Sequence, residues 1–289
     1  IIINPLNTNV IYVAALGLYR GKTPDRGIYK SVDGGGSWNR VLFINDTTGA
    51  TDIVMDPADS SRLLAATWTY YRTLPAVQRA GTGSGLYLST NAGVSWNQVT
   101  AGFPANNPDI GRIALALAPS DPSIVYANVA AAAGYSWGGV YKSMDRGSSW
   151  TKTFDGGSTG ESQVWYNNVI LVHPTNENIV WAGMTNLYKS TNGGATFAPA
   201  PVSGQYHVDH HAMQYHPLDE NTIVLGNDGG VYISNNGGSQ WAKSYNLPVT
   251  QFYAGTVSNL NPNRLLGGTQ DNGSVHSRSG DEPWSPFFG

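Results

Sequence analysis

Histidine and aspartate alternate in one short segment of the chain. His207, Asp209 and His211 occupy positions i, i+2 and i+4, so on a regular β-strand their side chains would share one face, with Val208 and His210 on the other. Two imidazoles flanking a carboxylate form a ligand set that Zn²⁺ or another divalent ion accepts. The competing interpretation is that Asp209 binds backbone amides of an adjacent segment. Because the run has no distant fourth ligand, we predict no metal and no cofactor.

Carboxylates that could act as a catalytic pair are scarce. Asp228, in an Asn-Asp-Gly-Gly sequence, and Asp271, in Gln-Asp-Asn-Gly, lie beside glycines, which let a ligand or another backbone approach closely. Together with Asp209 and Glu161, they are the candidates for the acid and the base or nucleophile of glycoside hydrolysis. The competing interpretation is that Asp228 and Asp271 stabilise turns through backbone hydrogen bonds.

Aromatic residues concentrate in three segments, 68–84, 131–139 and 163–168. If these loops emerge on one face, their flat rings would form a rim that stacks on sugar rings. The alternative is that the rings pack against one another and cap the fold. The candidate ligand-binding residues are Trp68, Tyr71, Trp137, Trp165, Tyr166, Asn167, His207, His211 and Gln270.

An internal repeat indicates which elements position these residues. The pattern Ser-x-Asp/Asn-x-Gly-x-x-Trp/Phe occurs five times with identical offsets, each time after a short apolar run, and a weaker sixth copy spans 277–284. Asp or Asn can bond the backbone two residues on, glycine takes the positive φ, and the aromatic ring covers the hairpin. The five copies begin at Ser31, Ser89, Ser143, Ser190 and Ser234.

A proline turn lies upstream of each copy, so every unit reads as a four-stranded antiparallel meander. No window has sustained helical periodicity. Such repeats bury both sheet faces by packing around an axis, which predicts an all-β fold, a β-propeller of four-stranded blades. The first unit lacks its outer strand and the last is degenerate, so we expect an incomplete part of a larger ring. The predicted units are approximately 1–48, 49–104, 105–158, 159–204, 205–248 and 249–289.

Composition excludes several kinds of protein. The 289 residues include no Cys, 16 basic and 19 acidic side chains, for a formal net charge of −3. The absence of Cys excludes disulfides and thiolate metal sites, and the near-neutral balance argues against a nucleic-acid groove. No stretch approaches the roughly 18 consecutive apolar residues of a membrane span. The chain begins at Ile1 without a signal segment, so we expect a piece of a longer protein.

The five repeats resemble the Asp-box, or BNR, repeats of sialidases, xyloglucanase-type glycoside hydrolases and sortilin. Further segments resemble, in order, large secreted bacterial BNR-repeat or sortilin-like propeller proteins, which are often labelled glycosyl hydrolases. This resemblance implies that the boxes are structural, that the protein is secreted, and that its partner is carbohydrate or an extracellular protein. The segments are 109–127, 163–174, 207–217, 226–234 and 267–274.

Two functions follow from these observations. The first is an extracellular binding or scaffold module that recognises carbohydrate or protein through the aromatic loop face, because no catalytic set can be assembled by motif. The alternative is a glycoside hydrolase with Asp209, Asp228 and Asp271 near the propeller axis. Sialidase activity is not expected, since the chain lacks the Arg-Ile-Pro-like element and a recognisable arginine triad of that family.

Position within the repeats also predicts where the polar segments lie. Segments 163–168 and 207–211 come at or just before the first strand of a unit, and 270–272 leads to the third strand of the last unit. These polar clusters are not needed for blade packing. We therefore expect the three segments to converge near one end of the axis.

Overall fold

The computed structural model describes residues 1–74, 76–131, 135–201, 205–244, 247, 250–279 and 284–288. Six four-stranded sheets follow one another along the chain, and all of their strand pairs are antiparallel. The described residues contain no helix. The prediction of an all-β fold built from four-stranded antiparallel blades is therefore confirmed. We number the sheets blades 1 to 6 in chain order.

The first three blades are formed by the following strands. Blade 1 contains β1 (Ile2–Ile3), β2 (Ile11–Ala15), β3 (Gly27–Ser31) and β4 (Asn39–Leu42). Blade 2 contains β5 (Thr48–Asp56) and β6 (Asp59–Thr69), then an inserted two-stranded hairpin of β7 (Tyr71–Arg72) and β8 (Val77–Gln78), and finally β9 (Gly85–Ser89) and β10 (Asn97–Gln98). Blade 3 contains β11 (Ile113–Ala118), β12 (Asp121–Ala131), β13 (Ser136–Ser143) and β14 (Thr151–Phe154).

The last three blades have the same strand order. Blade 4 contains β15 (Val169–Val172), β16 (Val180–Gly183), β17 (Leu187–Ser190) and β18 (Ala198–Pro199). Blade 5 contains β19 (His210–His216), β20 (Asp219–Asn227), β21 (Gly230–Ser234) and β22 (Ala242–Lys243). Blade 6 contains β23 (Phe252–Val257), β24 (Leu265–Thr269), β25 (Ser274–Ser277) and β26 (Ser285–Phe288).

In blades 2 to 5 the first strand of each blade is its innermost strand, because β5, β11, β15 and β19 contact one another in succession. Each inner strand ends at its proline turn, so these turns and the repeat boxes lie at one end of the axis, which we call the lower end. The starts of the inner strands, and the loops between second and third strands, lie at the opposite, upper end.

A cavity of about 730 Å³ occupies the lower part of the axis. Its walls are mostly apolar side chains of the inner strands, whereas polar side chains gather at the upper end. The axis is therefore chemically asymmetric, and the upper end is where recognition of a polar ligand is expected. Wall residues include Met55, Leu115, Leu171, Met213 and Tyr215.

The repeat boxes are hydrogen-bonded turns. Ser31 Oγ donates to Asp33 Oδ1 at 2.7 Å and accepts the Gly35 N–H at 2.9 Å. Asp33 also accepts the hydroxyl and the N–H of Ser37, and these bonds, the Ser37 hydroxyl first and Ser31 next, lower the pKa of the Asp33 carboxyl to about 2. The Asp or Asn oxygens are fully engaged, so the boxes stabilise hairpins. The same bonds recur at Ser89 and Asn91, Ser143 and Asp145, Ser190 and Asn192, and Ser234 and Asn236.

Apolar cores fill the spaces between neighbouring blades, and Trp137 belongs to one of them. Its side chain is 1% exposed, packs against Tyr188, Phe154 and Phe197, and donates its Nε1–H to Asn128 Oδ1 at 2.6 Å. The expectation that Trp137 lies on an exposed ligand-binding rim is therefore wrong. The ring is used in packing between blades 3 and 4.

Candidate functional site

Polar side chains from blades 4 and 5 meet at the upper end of the axis. Asp209 Oδ1 accepts hydrogen bonds from Gln163 Nε2 at 3.1 Å and from Asn167 Nδ2 at 2.5 Å. His211 Nε2 lies 2.6 Å from Asp228 Oδ1. We call these five residues the axial polar cluster.

The backbone conformation at Asp209 determines the directions of the His207, Asp209 and His211 side chains. Strand β19 begins only at His210, and Asp209 has a φ of 64°, in the left-handed region that Asp tolerates better than most residues. Its N–H donates to Thr185 O at 3.1 Å, and its carbonyl accepts the Asp228 N–H at 3.3 Å. The expected strand alternation, with three side chains on one face, is therefore wrong. The His207, Asp209 and His211 side chains contact different partners.

Blade 6 forms another wall of the site. His207 Nε2 lies 3.0 Å from the carbonyl oxygen of Asp271, and Asn272 Nδ2 donates to Asp228 O at 2.8 Å. Gln270 is half-buried and its N–H donates to Gln251 O at 2.9 Å. The three segments expected to converge are thus in contact. Asp271 contributes its carbonyl, while its side chain has no hydrogen bond to a described residue.

The carboxylates of the axial polar cluster lie in different electrostatic environments. Burial raises the pKa of Asp209, and the charges of Asp228 and Asp271 raise it further, against the opposing hydrogen bond from Asn167. Asp228 instead faces the His211 imidazole, and these two side chains are 18% and 33% exposed. The site therefore places a carboxyl whose pKa is raised near a carboxyl that is hydrogen-bonded to histidine.

A row of aromatic rings leads away from this cluster. His211 meets Tyr166 edge-on at 4.9 Å between ring centroids, and Tyr166 lies 5.4 Å from Trp165. Trp165 stacks over Tyr70 at 6.3 Å with an interplanar angle of 10°, and Tyr70 lies 5.1 Å from Tyr19. We call Tyr19, Tyr70, Trp165 and Tyr166 the aromatic row. Tyr19 and Tyr166 are 47% and 43% exposed, whereas Tyr70 is buried beneath its neighbours.

The other predicted aromatic residues have different positions. Trp68 is 5% exposed, donates its Nε1–H to Arg79 O at 2.7 Å and supports Tyr70 from below at 4.3 Å. Its expected place on the rim is therefore wrong, because it packs in the interior of blade 2. Tyr71 is half-buried on the β7–β8 hairpin, where Lys22 Nζ lies 5.9 Å from its ring centroid.

Glu161, a candidate for the carboxylate pair, is buried and fully engaged. Its two oxygens accept the N–H groups of Thr185 and Asn186 at 3.1 and 3.2 Å, the Asn186 side-chain amide at 2.9 Å and the Tyr188 hydroxyl at 3.0 Å. These bonds hold the β16–β17 loop, whose Thr185 carbonyl in turn positions Asp209. Glu161 therefore acts as a support for the site.

Sequence reasoning missed Arg112 and Tyr19. Arg112 Nη1 donates to the Tyr166 carbonyl at 2.5 Å and so fixes the segment that carries Trp165 and Tyr166. Tyr19 sits on the β2–β3 loop of blade 1, far along the chain from the other rings. An arginine in a loop and a tyrosine outside the three aromatic segments gave no motif from which these contacts could be found.

The described part of the chain contains no group of three or more His, Asp or Glu side chains arranged to hold a metal ion. It also contains no helix of the length and apolar character needed to cross a bilayer.

Comparison with known proteins relates the chain to xyloglucanases. No family model matches it. A xyloglucanase of Hypocrea jecorina (strain QM6a) is 30% identical over an alignment of 212 residues, and the match covers 58% of this chain and 24% of that protein. The chain therefore spans about a quarter of the length of this curated relative.

Solved structures show the same architecture. The GH74 xyloglucanase from Xanthomonas campestris aligns with a TM-score of 0.61 and 16% identity, covering 99% of this chain and 51% of that one. An ancestral GH74 enzyme aligns with a TM-score of 0.59 and 18% identity, covering 97% and 38%. At these identities the likeness shows the fold alone: this chain has a β-propeller fold similar to that of glycoside hydrolases.

Proposed function

We propose that this propeller binds polysaccharide at its upper end and cleaves it as a glycoside hydrolase. The observation that carries the proposal is the pair formed by Asp209 and Asp228, two neighbouring carboxyls in contrasting environments beside the aromatic row. Glycoside hydrolysis needs one protonated carboxylic acid and one ionised carboxylate. Two carboxyls in different environments can divide these roles between them.

The contacts suggest a role for each group. Asp209, whose pKa is raised, is the proton donor to the glycosidic oxygen. Its Oδ1 is anchored by Gln163 and Asn167, and no described residue hydrogen-bonds Oδ2, which is free to face a ligand. Asp228, held at 2.6 Å from the His211 imidazole, is the base or nucleophile. Trp165 and Tyr166 would stack on the sugar rings.

Similarity to xyloglucanases supports a carbohydrate ligand. Xyloglucan is therefore the first substrate to test. The resemblance to secreted BNR-repeat proteins further supports an extracellular location and a division into six blade units. The reaction itself rests on the geometry of the axial polar cluster, because the matched segment is only part of each relative.

A second function, glycan binding without hydrolysis, is supported by one observation. Asp209 has a left-handed backbone conformation, and its carbonyl, N–H and Oδ1 all bind neighbouring loops. Those contacts are also what a structural link between blades would make. In that case the exposed rings of Tyr19 and Tyr166 would bind sugar while the carboxyls only shape the surface.

The decisive experiment measures reducing-sugar release and binding on the same preparations. The full chain is incubated with xyloglucan and other polysaccharides, beside Asp209→Asn, Asp228→Asn and the control Asp219→Asn, an exposed carboxylate of blade 5 at the lower end. Loss of a general acid or base lowers a rate by about 10²–10⁴-fold, so the two site variants should lose release and keep binding. Binding without release by the native chain supports the second function, and neither binding nor release contradicts both.

A further inference from the structure

Cationic side chains cluster at the upper end of blades 1 and 2, at the far end of the aromatic row from the axial polar cluster. Arg20 and Arg72 are adjacent through a backbone bridge between their loops, which the Gly21 N–H reinforces by donating to Arg72 O at 3.0 Å. Lys22, in the β2–β3 loop, lies over the ring of Tyr71, which precedes Arg72 in the β7–β8 hairpin. We call Arg20, Lys22, Arg72 and Arg79 the basic patch. The first three side chains are exposed.

Arg79 joins the basic patch to the aromatic row. Its guanidinium carbon lies 4.6 Å from the Trp165 ring centroid and 4.9 Å from that of Tyr135, and its Nη1 donates to the Tyr135 hydroxyl at 2.7 Å. Its Nε is buried without a hydrogen-bond partner among the described residues. The two rings and the Tyr135 hydroxyl hold the guanidinium in place, while its Nη2 has no acceptor among the described residues.

No carboxylate in the described part of the chain forms an ion pair with the basic patch. Among the residues that the structure describes, ion pairs occur at Arg146 and Asp56, Lys152 and Asp155, and His211 and Asp228, and none involves the four cations. Burial raises the pKa of Tyr70, whereas the positive charges of Arg79 and Arg72 oppose that rise. Both guanidiniums therefore interact electrostatically with the hydroxyl of this tyrosine in the aromatic row. Unpaired cations on a chain of net charge −3 are available to an anion.

The loop that carries Tyr19 and Arg20 is built around a different arginine. Arg26 is fully buried and donates to the carbonyls of Leu18 at 3.0 Å, Gly21 at 3.1 Å and Asp46 at 2.9 Å. Because Arg26 is buried and donates to backbone carbonyls, it stabilises the conformation of this loop. The residues that can contact an anion are those of the basic patch.

We propose that the basic patch is a subsite for a carboxylate-bearing sugar, so that the ligand of the proposed site is a polysaccharide containing uronic acid. This inference rests on the proposed function. A planar guanidinium fork pairs with a planar carboxylate through two parallel hydrogen bonds, which favours carboxylates at Arg72 and Arg79. Sugar rings stack on the exposed rings of the aromatic row, Tyr19 and Tyr166. The carboxylates Asp209, Asp228 and Asp271 disfavour a second anion at the other end, so a neutral or protonated unit lies over the axial polar cluster.

The test compares three polymers on the full chain by affinity electrophoresis and calorimetry: polygalacturonate, neutral xyloglucan and sulfated dextran. Arg72→Gln and Arg79→Gln remove patch cations, and Arg79→Lys keeps the charge but not the fork. Arg264→Gln is the matched control, an exposed arginine at the lower end of blade 6. Melting temperatures verify that each variant is folded.

We expect polygalacturonate binding to weaken about tenfold in each of the three patch variants, since one charge-assisted hydrogen bond is worth at least that factor. Xyloglucan binding should be unchanged in Arg72→Gln, and polygalacturonate binding should be unchanged in Arg264→Gln. Added salt should weaken the binding of polygalacturonate but not that of xyloglucan. The proposal is overturned if polygalacturonate does not bind, if Arg264→Gln weakens binding equally, or if sulfated dextran binds more tightly than polygalacturonate. Xyloglucan bound and cleaved, with polygalacturonate binding unchanged in the patch variants, would refute the subsite alone, whereas no binding of any glycan would refute the proposed function.

Discussion

Replacing His210 with leucine should make the protein less sensitive to acid. His210 is fully buried at the start of β19, where its side chain packs beside Gly183 and meets Tyr206 edge-on at 5.5 Å. Neither ring nitrogen has a hydrogen-bond partner among the described residues. Burial, reinforced by the nearby charges of His211 and His207, lowers the pKa of His210 to about 4.

The magnitude follows from proton linkage. In the unfolded chain His210 titrates near its ordinary pKa of 6.5. Above that pH both states hold the neutral ring and His210 contributes no pH dependence. Between pH 6.5 and about 4 the unfolded state binds a proton that the folded state refuses, so stability falls by about 1.4 kcal/mol per pH unit, or about 3 kcal/mol over the window. Leucine removes this term.

Urea unfolding at several pH values from 7.5 to 4 measures the effect in the native chain, His210→Leu and the control His216→Asn, an exposed histidine at a proline turn. The loss of stability on acidification should be about 3 kcal/mol smaller in His210→Leu than in the other two. At pH 7.5 the leucine variant should be at least as stable as the native chain, because no hydrogen bond is lost. Equal acid sensitivity of His210→Leu and the native chain would show that water or a partner reaches the ring and would refute the reasoning.

Further predictions concern packing, loop structure and ligand contact. Trp150→Ala should destabilise by about 3–5 kcal/mol in urea unfolding, because this buried box residue packs against Phe103. Arg26→Met should lower the melting temperature, since it leaves the carbonyls of the Tyr19 loop without donors. Trp165→Ala should weaken glycan binding in affinity electrophoresis with little change in melting temperature. Asp209→Ala should lower the melting temperature, because alanine tolerates the left-handed backbone poorly and leaves Gln163 and Asn167 without their acceptor. An Asp209→Ala variant destabilised as much as Trp150→Ala, with binding intact, would identify Asp209 as a structural link.

The blade could be predicted because its signals are local. In each box the serine, the Asp or Asn and the glycine lie within five residues, and their bonds close one turn, as at Ser31, Asp33 and Gly35. Identical offsets in five copies therefore predict one hairpin five times. The meeting of the polar segments at one end was equally predictable, because position within a repeat fixes which end of a strand a residue occupies.

Side-chain direction could not be predicted in the same way. The left-handed backbone of Asp209 depends on contacts with Thr185 and Asp228, so the strand alternation assumed for the His207 segment fails there. Trp137 and Trp165 both occupy aromatic segments, yet one fills a core and the other lies over Tyr70 and Arg79. Such contacts join residues from different blades, and no spacing in the sequence encodes them.

Blade 6 is more exposed to solvent than the other blades. Every residue of β23 is solvent-exposed, including Phe252 and Tyr253, so this sheet buries less apolar surface than the others. Local opening free energies follow such burial, and in repeat proteins each unit is stabilised mainly by its neighbours. The amide protons of β23 should therefore exchange with solvent earliest. Because Asp271 and Asn272 reach from this blade to His207 and Asp228, its transient opening would release one wall of the ligand site while blades 2 to 5 stay folded.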